Sequence, residues 1–426
     1  MGSDWRKITV SELIDAKEAD LQTGPFGTVL KAEEYSSTGV PLISVREIRN
    51  GFFELTDATP KIDEKTIARL PKYVLQQGDI VFGRKGGVER NALVNESQKG
   101  WFLGSDGIRL RLSPINDSRF ISYQVRHPQT RLWLIQHAAG STMLSLNQKI
   151  LGRLPLVLPP LSVQKAIAHI LGTLDDKIDL NRRMNETLEA MAQALFKSWF
   201  IDFDGCTEFE ESELGLIPKG WRVGELGSIS DILNGFAFKS KDYTETGTFV
   251  LRTKNFSNMG HVTYLKDDVY LPEIFFTTHE KYLCKDFDFF LVMVGASVGK
   301  TSTLYSNCLP AFRNQNMWCF RPKRNFEGRF YLNNTVKHIV KLNLQIASGS
   351  ARSFFRKGDF KKFSILIPAD SVIQAFENEA GAISQKISMI YQEIDSLANL
   401  RDTLLPKLIS GEIRVGDAEK MVEEVL

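Results

Sequence analysis

The sequence predicts a mixed α/β (α+β) protein in which two similar domains are separated by two long helices that form an antiparallel intramolecular coiled coil. Three observations predict this fold: the chain repeats itself at a constant offset, each repeat opens with short apolar segments between turn residues, and each closes with a long heptad pattern. A chain of 426 residues is long enough for two to four domains. Its 43% apolar and 24% charged residues are typical of a folded globular protein.

An internal repeat relates the two halves of the chain. Gly140-Ser141 recurs as Gly349-Ser350 after 209 residues, and Asp79 in GDIVF lies opposite Asp288 in FDFFL at the same offset. Towards the start of each half the offset drifts, which indicates loop insertions and deletions there. An offset that stays constant over so long a stretch predicts two copies of one folding unit.

Each copy begins with a domain of mixed structure, the first over residues 1–158 and the second over residues 221–367. Apolar segments such as VPLISV, GDIVF, IRLRL, TFVLR and FFLVMV lie between Gly, Asp, Asn and Pro residues and predict strands. Residues 118–137 and 327–347 predict helices between these strands. Both domains are therefore expected to be of mixed α/β type.

Each copy is followed by a long helix, predicted over residues 159–205 and 368–412, and Pro159-Pro160 and Pro368 mark the helix starts. Apolar residues then recur at alternating spacings of three and four, in the same register in both copies. The seam positions of the spacer coiled coil are Leu171, Leu174, Ile178, Asn181, Asn185, Leu188 and Leu195 in the first helix, and Ile383, Ile387, Ile390, Ile394, Leu397, Leu404 and Leu408 in the second. The simplest partner of each seam is the other one, and antiparallel pairing would give a rod of roughly 58 Å.

Polar residues interrupt the seam at Asn181 and Asn185 in the first helix and at Arg401 in the second. Asn at such a position is either tolerated because the seam is partly exposed, or it fixes helix register and pairing at a cost in stability. The periodicity does not decide between these two interpretations.

Charge is distributed unevenly, although the net charge is only +2. Residues 300–362 hold 13 Lys and Arg against 2 Asp and Glu, and residues 84–131 hold 9 against 4. These basic zones predict two anion-facing surfaces, with ordinary solvated faces as the alternative. Residues 206–220 predict an acidic, solvated linker between the copies, and residues 413–426 form a C-terminal tail.

The sequence lacks the residue patterns of several metal-binding, redox and catalytic sites. The four cysteines form no CxxC pair and the six histidines are dispersed, which argues against a zinc ribbon, a redox motif, a disulfide framework or a histidine metal site. No GxSxG elbow occurs, and the acidic residues form no nuclease pattern. No apolar segment approaches the ~18 residues of a membrane helix, and the N-terminal residues hold no signal-peptide core. The sequence therefore predicts a cytoplasmic binding protein with no catalytic residue, metal or cofactor of its own.

The segment GASVGKTS at 295–302 imitates a phosphate-binding loop. Such a loop needs four residues between its glycines and a helix after them. Gly295 and Gly299 enclose three residues, and the following TLYSNCLPAF predicts strand and loop. We therefore interpret the segment as a tight glycine turn that presents Lys300, Thr301 and Ser302 to a ligand, with nucleotide binding as the weaker alternative.

The basic zones hold residue types that suit DNA. Arg, Asn and Gln recognise guanine and adenine edges in the major groove, and RNQN at 313–316 offers all three, with SDGIRLRL at 105–112 as its counterpart. The segment SARSFFRKGDFKK at 350–362 combines cations with aromatic residues and would suit phosphate contacts. The candidate DNA-binding residues are Arg84, Lys85, Arg90, Arg109, Arg111, Lys300, Thr301, Ser302, Arg313, Asn314, Gln315, Asn316, Arg352, Arg356 and Lys357.

Longer stretches carry a family likeness across nearly the whole chain. They are LQTGPFG, PLISVREIRNG, GDIVFGRKG, GSTMLSLNQKIL, LPLVLPPLSVQKAIA, LFKSWFIDFDG, LGLIPKGWRVGELG and LLPKLISGEIRV. In these stretches and in their order, the chain resembles the specificity (S) subunit of type I restriction–modification systems.

The resemblance implies a non-catalytic DNA reader. Each mixed domain would be a target-recognition domain for one half of a bipartite, asymmetric DNA sequence. The two helices would set the half-site spacing and dock two modification (methyltransferase) subunits, which would carry S-adenosylmethionine and methylate adenine at N6. Two restriction (translocase/nuclease) subunits would bring ATP- and Mg-dependent cleavage. Half-sites read from one face of the duplex should have centres about one helical turn apart, ~34–36 Å.

Other classes remain open at this point. A stand-alone sequence-specific DNA-binding regulator would have the same basic surfaces and would need no partner. A P-loop-like nucleotide-binding protein would rest on GASVGKTS alone. A coiled-coil scaffold without a DNA role would leave the basic zone at 300–362 unexplained.

Overall fold

The computed structural model describes residues 5–140, 142–295, 297–347 and 356–426, with backbone only for 344–347. The chain forms two compact units. One unit contains Met1–Lys177 with Leu397–Leu426, and the other contains Ile178–Ser396. Each unit therefore holds one copy of the repeat and a segment of both long helices.

The first copy contains short strands and helices, and the long helix α6 follows it. Its strands are β1 Arg6–Thr9, β2 Ala19–Thr23, β3 Tyr35–Ser36, β4 Val40–Ile43, β5 Asn50–Gly51, β6 Lys61–Ile62, β7 Ile80–Gly83, β8 Asn91–Leu93, β9 Phe102–Leu103, β10 Gly107–Leu112 and β11 Pro155–Leu158. Its helices are α1 Val10–Asp15, α2 Glu64–Arg69, α3 Ser118–Arg126, α4 Pro128–His137 and α5 Gln148–Gly152, and α6 spans Leu161–Lys197.

The second copy follows a short hairpin and leads into the other long helix. The strands are β12 Phe209–Ser212 and β13 Gly215–Pro218 in the hairpin, then β14 Arg222–Glu225, β15 Ser230–Asn234, β16 Thr248–Leu251, β17 Tyr270–Leu271, β18 Phe289–Val292, β19 Thr301–Thr303, β20 Ala311–Arg313, β21 Met317–Pro322 and β22 Ser364–Ile367. The helices are α7 Leu226–Ile229, α8 Ile274–Thr278, α9 Arg329–Ala347, α10 Lys357–Lys361, α11 Asp370–Ser410 and α12 Val415–Glu423. The segment 206–220, predicted as an acidic, solvated linker, carries the hairpin β12–β13.

The two copies share a sheet topology apart from the edge strands β3 and β5, which belong to the first copy. The first has a sheet in the order β2-β10-β7-β8-β5, and the second has the order β15-β21-β18-β19. A further sheet contains β6-β4-β9 in the first copy and β17-β16-β20 in the second, with a parallel pair β4–β9 or β16–β20 in each. Antiparallel pairs β1–β11 and β14–β22 join the start of each copy to its end. The prediction of two similar mixed α/β domains is therefore confirmed.

Continuous apolar strands show where the core lies in each copy. Strands β7 and β18 are buried along their whole length because they occupy the interior of their sheets. In the first copy, Phe82 and Phe102 are completely buried, as are Phe289 and Phe320 in the second. Packing of these side chains stabilises the sheets, and the turns that connect the strands lie outside the cores.

The long helices pack against each other in antiparallel fashion. In the second unit, Phe196 of α6 contacts Phe376 of α11, while Glu189 and Tyr391 both contact Tyr305. Contacts therefore move towards the start of α11 as α6 proceeds towards its end. In the first unit, Arg401 of α11 donates to Asp175 of α6 at 2.7 Å. The predicted antiparallel coiled coil is confirmed.

The seam positions lie at this helix contact. Leu188, Leu195 and Ile383 are half-buried, and the other predicted seam residues are buried. Asn181 and Asn185 are each only 1% exposed, so a partly exposed seam does not account for them.

Among the described residues, no helix has both the length and the apolarity to cross a membrane.

Candidate nucleic-acid interface

In the first copy, a cationic turn follows β7 and is held by backbone hydrogen bonds. The Arg84 amide donates to the Asp106 carbonyl at 2.8 Å, and its own carbonyl accepts from the Leu146 amide at 2.8 Å. The Gly86 amide donates to the Leu144 carbonyl at 2.9 Å, in a left-handed conformation with φ of 76°. The turn after β7, the turn before β10 and the segment before α5 therefore meet at one surface, here called the first tip (residues 84–87, 105–106 and 144–146).

An aromatic side chain completes the first tip. Phe26 is 60% exposed, and the Arg84 guanidinium lies over its ring at 5.4 Å from the centroid. Lys85 is exposed, and its ammonium lies 3.8 Å from the Asp106 carboxylate. Arg90 is half-buried, 3.8 Å from Glu89. Sequence reasoning did not single out Phe26, although the Pro-Phe-Gly turn directly after a strand was the signal that could have found it.

Two of the predicted arginines in the first copy point into the framework. Arg109 is buried and forms an ion pair with Asp20. Burial lowers its pKa, and the neighbouring charge of Arg111 lowers it further. Arg111 donates Nε and Nη2 to the two carboxylate oxygens of Asp79, at 2.6 and 2.7 Å. Both cations therefore already have internal acidic partners.

The GASVGKTS segment does not form a phosphate-binding loop. Gly299 adopts a φ of 87°, and the chain then enters strand β19 rather than a helix. The Lys300 ammonium donates to the Phe256 carbonyl at 2.5 Å and to the Asn258 side chain at 3.2 Å. Ser302 is completely buried and Thr301 is half-buried. Contrary to expectation, the turn does not present Ser302, which lies inside the sheet, and the half-buried Lys300 is bonded to a neighbouring loop.

The RNQN segment divides into a buried anchor and an exposed turn. Arg313 is 2% exposed, and its guanidinium donates to the carbonyls of Asn234, Leu283 and Lys281. Asn314 is half-buried, whereas Gln315 and Asn316 are exposed. The Met293 amide donates to the Asn316 carbonyl at 3.2 Å, as Arg84 does to Asp106 in the first copy. The turn 314–316 is therefore the counterpart of the turn at 105–106, and we call it the second tip.

A cation lies close to the second tip. Lys357 at the start of α10 donates to the Asn234 side chain at 3.2 Å, and Arg356 before it is exposed. Burial lowers the pKa of Lys357, and the charge of Lys361 adds to this effect. Arg352, also predicted from the sequence, lies outside the described residues.

Within the described part of the chain, no group of three or more His, Cys, Asp or Glu side chains could hold a metal ion. The tips offer cations, amides and an aromatic ring, which suit hydrogen bonding and charge pairing with nucleic acid.

Comparison with known proteins identifies the family. The family model for the type I restriction modification DNA specificity domain matches residues 2–190 and 218–398. The chain belongs to this family. It is a DNA sequence-recognition subunit with two target-recognition domains, one in each match, and its family is non-catalytic. The strong resemblance in the sequence is thereby confirmed.

Relatives of this specificity subunit cover almost its whole length. The type I restriction enzyme MjaIX specificity subunit of Methanocaldococcus jannaschii is 23% identical over 399 residues, which are 90% of this chain and 89% of that one. The MjaVIII specificity subunit of the same organism is 24% identical over 427 residues, with 97% and 93% covered. The crystal structure of a type I restriction–modification S subunit from M. genitalium has the same fold, with a TM-score of 0.54 at 18% identity over 95% of this chain and 96% of that one.

Proposed function

We propose that each recognition domain reads one half of a bipartite, asymmetric DNA target, and that the helical spacer sets the distance between the halves. One observation carries this proposal. The two domains share most of a sheet topology but differ at equivalent positions of their tips, where the first has Ser105 and Asp106 and the second has Gln315 and Asn316. A common framework with different exposed side chains is what two unlike half-sites require.

The burial of the candidate residues narrows the proposed interface. Arg109, Ser302 and Arg313 are buried, so their side chains do not reach the surface. Arg111 is held by both carboxylate oxygens of Asp79, and Lys300 by the Phe256 carbonyl. We therefore assign these five residues a structural role. The proposed DNA-facing residues are Arg84, Lys85, Arg90, Thr301, Asn314, Gln315, Asn316, Arg352, Arg356 and Lys357. The remaining cations would contact phosphates and the amides would contact base edges.

The spacer helices would dock two methyltransferase subunits. On α6, Leu180, Met184 and Met191 are 46%, 37% and 52% exposed, at helical spacings that put them on one face. Met389 of α11, the counterpart of Leu180 at the repeat offset, is 61% exposed. Exposed apolar side chains at equivalent places on both helices are expected if each helix receives one copy of the same partner.

The catalytic groups would come with the partners. Methyltransferase subunits would bind S-adenosylmethionine and methylate adenine at N6, and two restriction subunits would supply ATP- and Mg-dependent translocation and cleavage. Such a complex would act in the cytoplasm, where its double-stranded DNA target lies.

The test is a methylome. This chain is co-expressed with its methyltransferase subunit in a host that lacks DNA methylation, and modified adenines are mapped by single-molecule sequencing. The proposal predicts a split, asymmetric motif that is absent when this chain is omitted. A control with a different specificity subunit shows that the methyltransferase is active. If that control methylates and this chain yields no motif, the proposal fails, and tight sequence-specific binding by the isolated chain would instead favour a stand-alone regulator.

A further inference from the structure

Hydrogen bonds and close backbone packing hold the second tip in place. The Arg313 guanidinium donates to three backbone carbonyls, and the backbone N–H of Asn314 donates to the Leu251 carbonyl at 3.0 Å. The backbone N–H of Gln315 donates to the Phe236 carbonyl at 3.0 Å. Gly235 packs so closely that a Cβ there would overlap the Asn314 carbonyl oxygen. The backbone is therefore fixed from both sides while two side-chain amides project from it.

The side chains of this turn have a specific chemistry. Gln315 and Asn316 are both exposed, whereas Arg313 and Met317 on either side of the turn are buried. Asn316 adopts a φ of 73°, in the left-handed region that Asn tolerates better than most residues. An amide side chain can donate to N7 of one base and accept from its N6 amino group only when that base is adenine.

A positive charge lies beside these amides. Lys357 bonds to Asn234, which directly precedes the Gly235 that packs against the turn, so its ammonium is held near the second tip. A lysine in this place can contact the phosphate next to the base that is read. The first tip has a different chemistry, because Ser105 and Asp106 stand where Gln315 and Asn316 stand in the second.

We propose that Gln315 and Asn316 select adenine in the half-site of the second recognition domain and that Lys357 contacts the adjacent phosphate without regard to sequence. This assignment rests on the proposed function and adds to it the base that is recognised and the residues that recognise it. The adenine that is read stays stacked in the duplex, so it is not the one that a methyltransferase would flip out.

Methylomes of the assembled complex test the assignment. With Gln315→Ala and Asn316→Ala, one half-site should lose its requirement for adenine at one or two positions, while the other half-site stays as it is. Each good bidentate amide contact discriminates about 5- to 150-fold against a wrong base. Lys357→Ala should leave both half-sites unchanged, weaken binding to all sequences alike and reduce the salt slope by about 1. Gln193→Ala, at an exposed glutamine of α6, is the matched control and should change nothing.

The outcomes separate this assignment from the proposed function. No motif with the unaltered chain would count against the proposed function. A motif that Gln315→Ala and Asn316→Ala leave intact, together with full methylation, would overturn the adenine assignment alone. If a folded variant complex methylates nothing, its binding to duplexes with single changes in that half-site is measured. Discrimination lost at an adenine supports the assignment, and discrimination kept at every position refutes it.

Discussion

Arg321 holds the buried carboxylate of Asp288 with two N–H groups, Nε at 2.7 Å from Oδ1 and Nη2 at 2.5 Å from Oδ2. The first copy repeats this pair as Arg111 and Asp79, at 2.6 and 2.7 Å. Both carboxylates are completely buried, and each also accepts a backbone N–H from three residues before it. The pair therefore joins β10 to the turn before β7 in the first recognition domain, and β21 to the turn before β18 in the second.

Removal of either arginine should destabilise its domain. Arg111→Met or Arg321→Met leaves a fully buried carboxylate without its cation, which costs about 3–5 kcal/mol. The measurement is the shift in the urea midpoint of unfolding. Arg84→Met, at the first tip, should lower the free energy of unfolding by less than about 0.5 kcal/mol and so barely move the midpoint. Equal shifts for Arg84 and Arg111 would contradict the structural role that we assign to Arg111.

This pair also marks the limit of what the sequence predicts. The repeat, the strands and the heptad seam were predicted because their signals are local periodicities. Arg111 was predicted to face DNA, since its partner Asp79 lies 32 residues away and no local pattern reports that contact. The same holds for Lys300, whose carbonyl acceptor at Phe256 is 44 residues away. Whether a cation is free or paired depends on tertiary contacts, so a basic zone in the sequence does not show which of its cations have partners inside the fold.

His261 should make the stability of the second unit depend on pH. Its ring stacks on Tyr391 at 4.3 Å between centroids, and Nδ1 lies 2.8 Å from the Ser257 hydroxyl. Burial lowers the pKa of His261 from 6.5 to about 4, with the charge of Glu189 opposing the shift and that of Arg182 adding to it. The unfolded chain therefore protonates this imidazole more readily than the folded one. The contribution of neutral His261 to stability is fully present above pH 6.5 and is lost as the pH falls towards 4.

The expected loss is roughly 3 kcal/mol over that range. Unfolding of the His261→Gln variant, followed by denaturant at a series of pH values, should show a flatter profile between pH 6.5 and 4 than the unaltered chain. His169→Gln, at an exposed histidine of α6, should leave the profile unchanged. Parallel profiles for the unaltered chain and His261→Gln would refute the prediction.

The buried asparagines of the seam should cost stability. Asn181 and Asn185 lie where the heptad pattern calls for apolar side chains, and a buried amide is less favourable than leucine by about 1–3 kcal/mol. The double variant Asn181→Leu/Asn185→Leu should therefore melt at a higher temperature. If the asparagines fix the pairing of the helices, light scattering will also detect oligomers that the unaltered chain does not form. A lower melting temperature would show that the amides stabilise the seam.

Changing the length of the spacer should change the DNA spacing and nothing else. The helices pack antiparallel, so one heptad is inserted in α6 within 178–185 and another in α11 within 387–394, which preserves both seams. Seven helical residues add about 10.5 Å, the rise of about three base pairs. The methylome of this variant should therefore show both half-sites intact with a spacer about three base pairs longer. A control that replaces the same residues with a different heptad of equal length should keep the original spacing. Because neither tip is altered, a changed half-site would mean that the helices also shape recognition, and an unchanged spacer would mean that they do not set the distance.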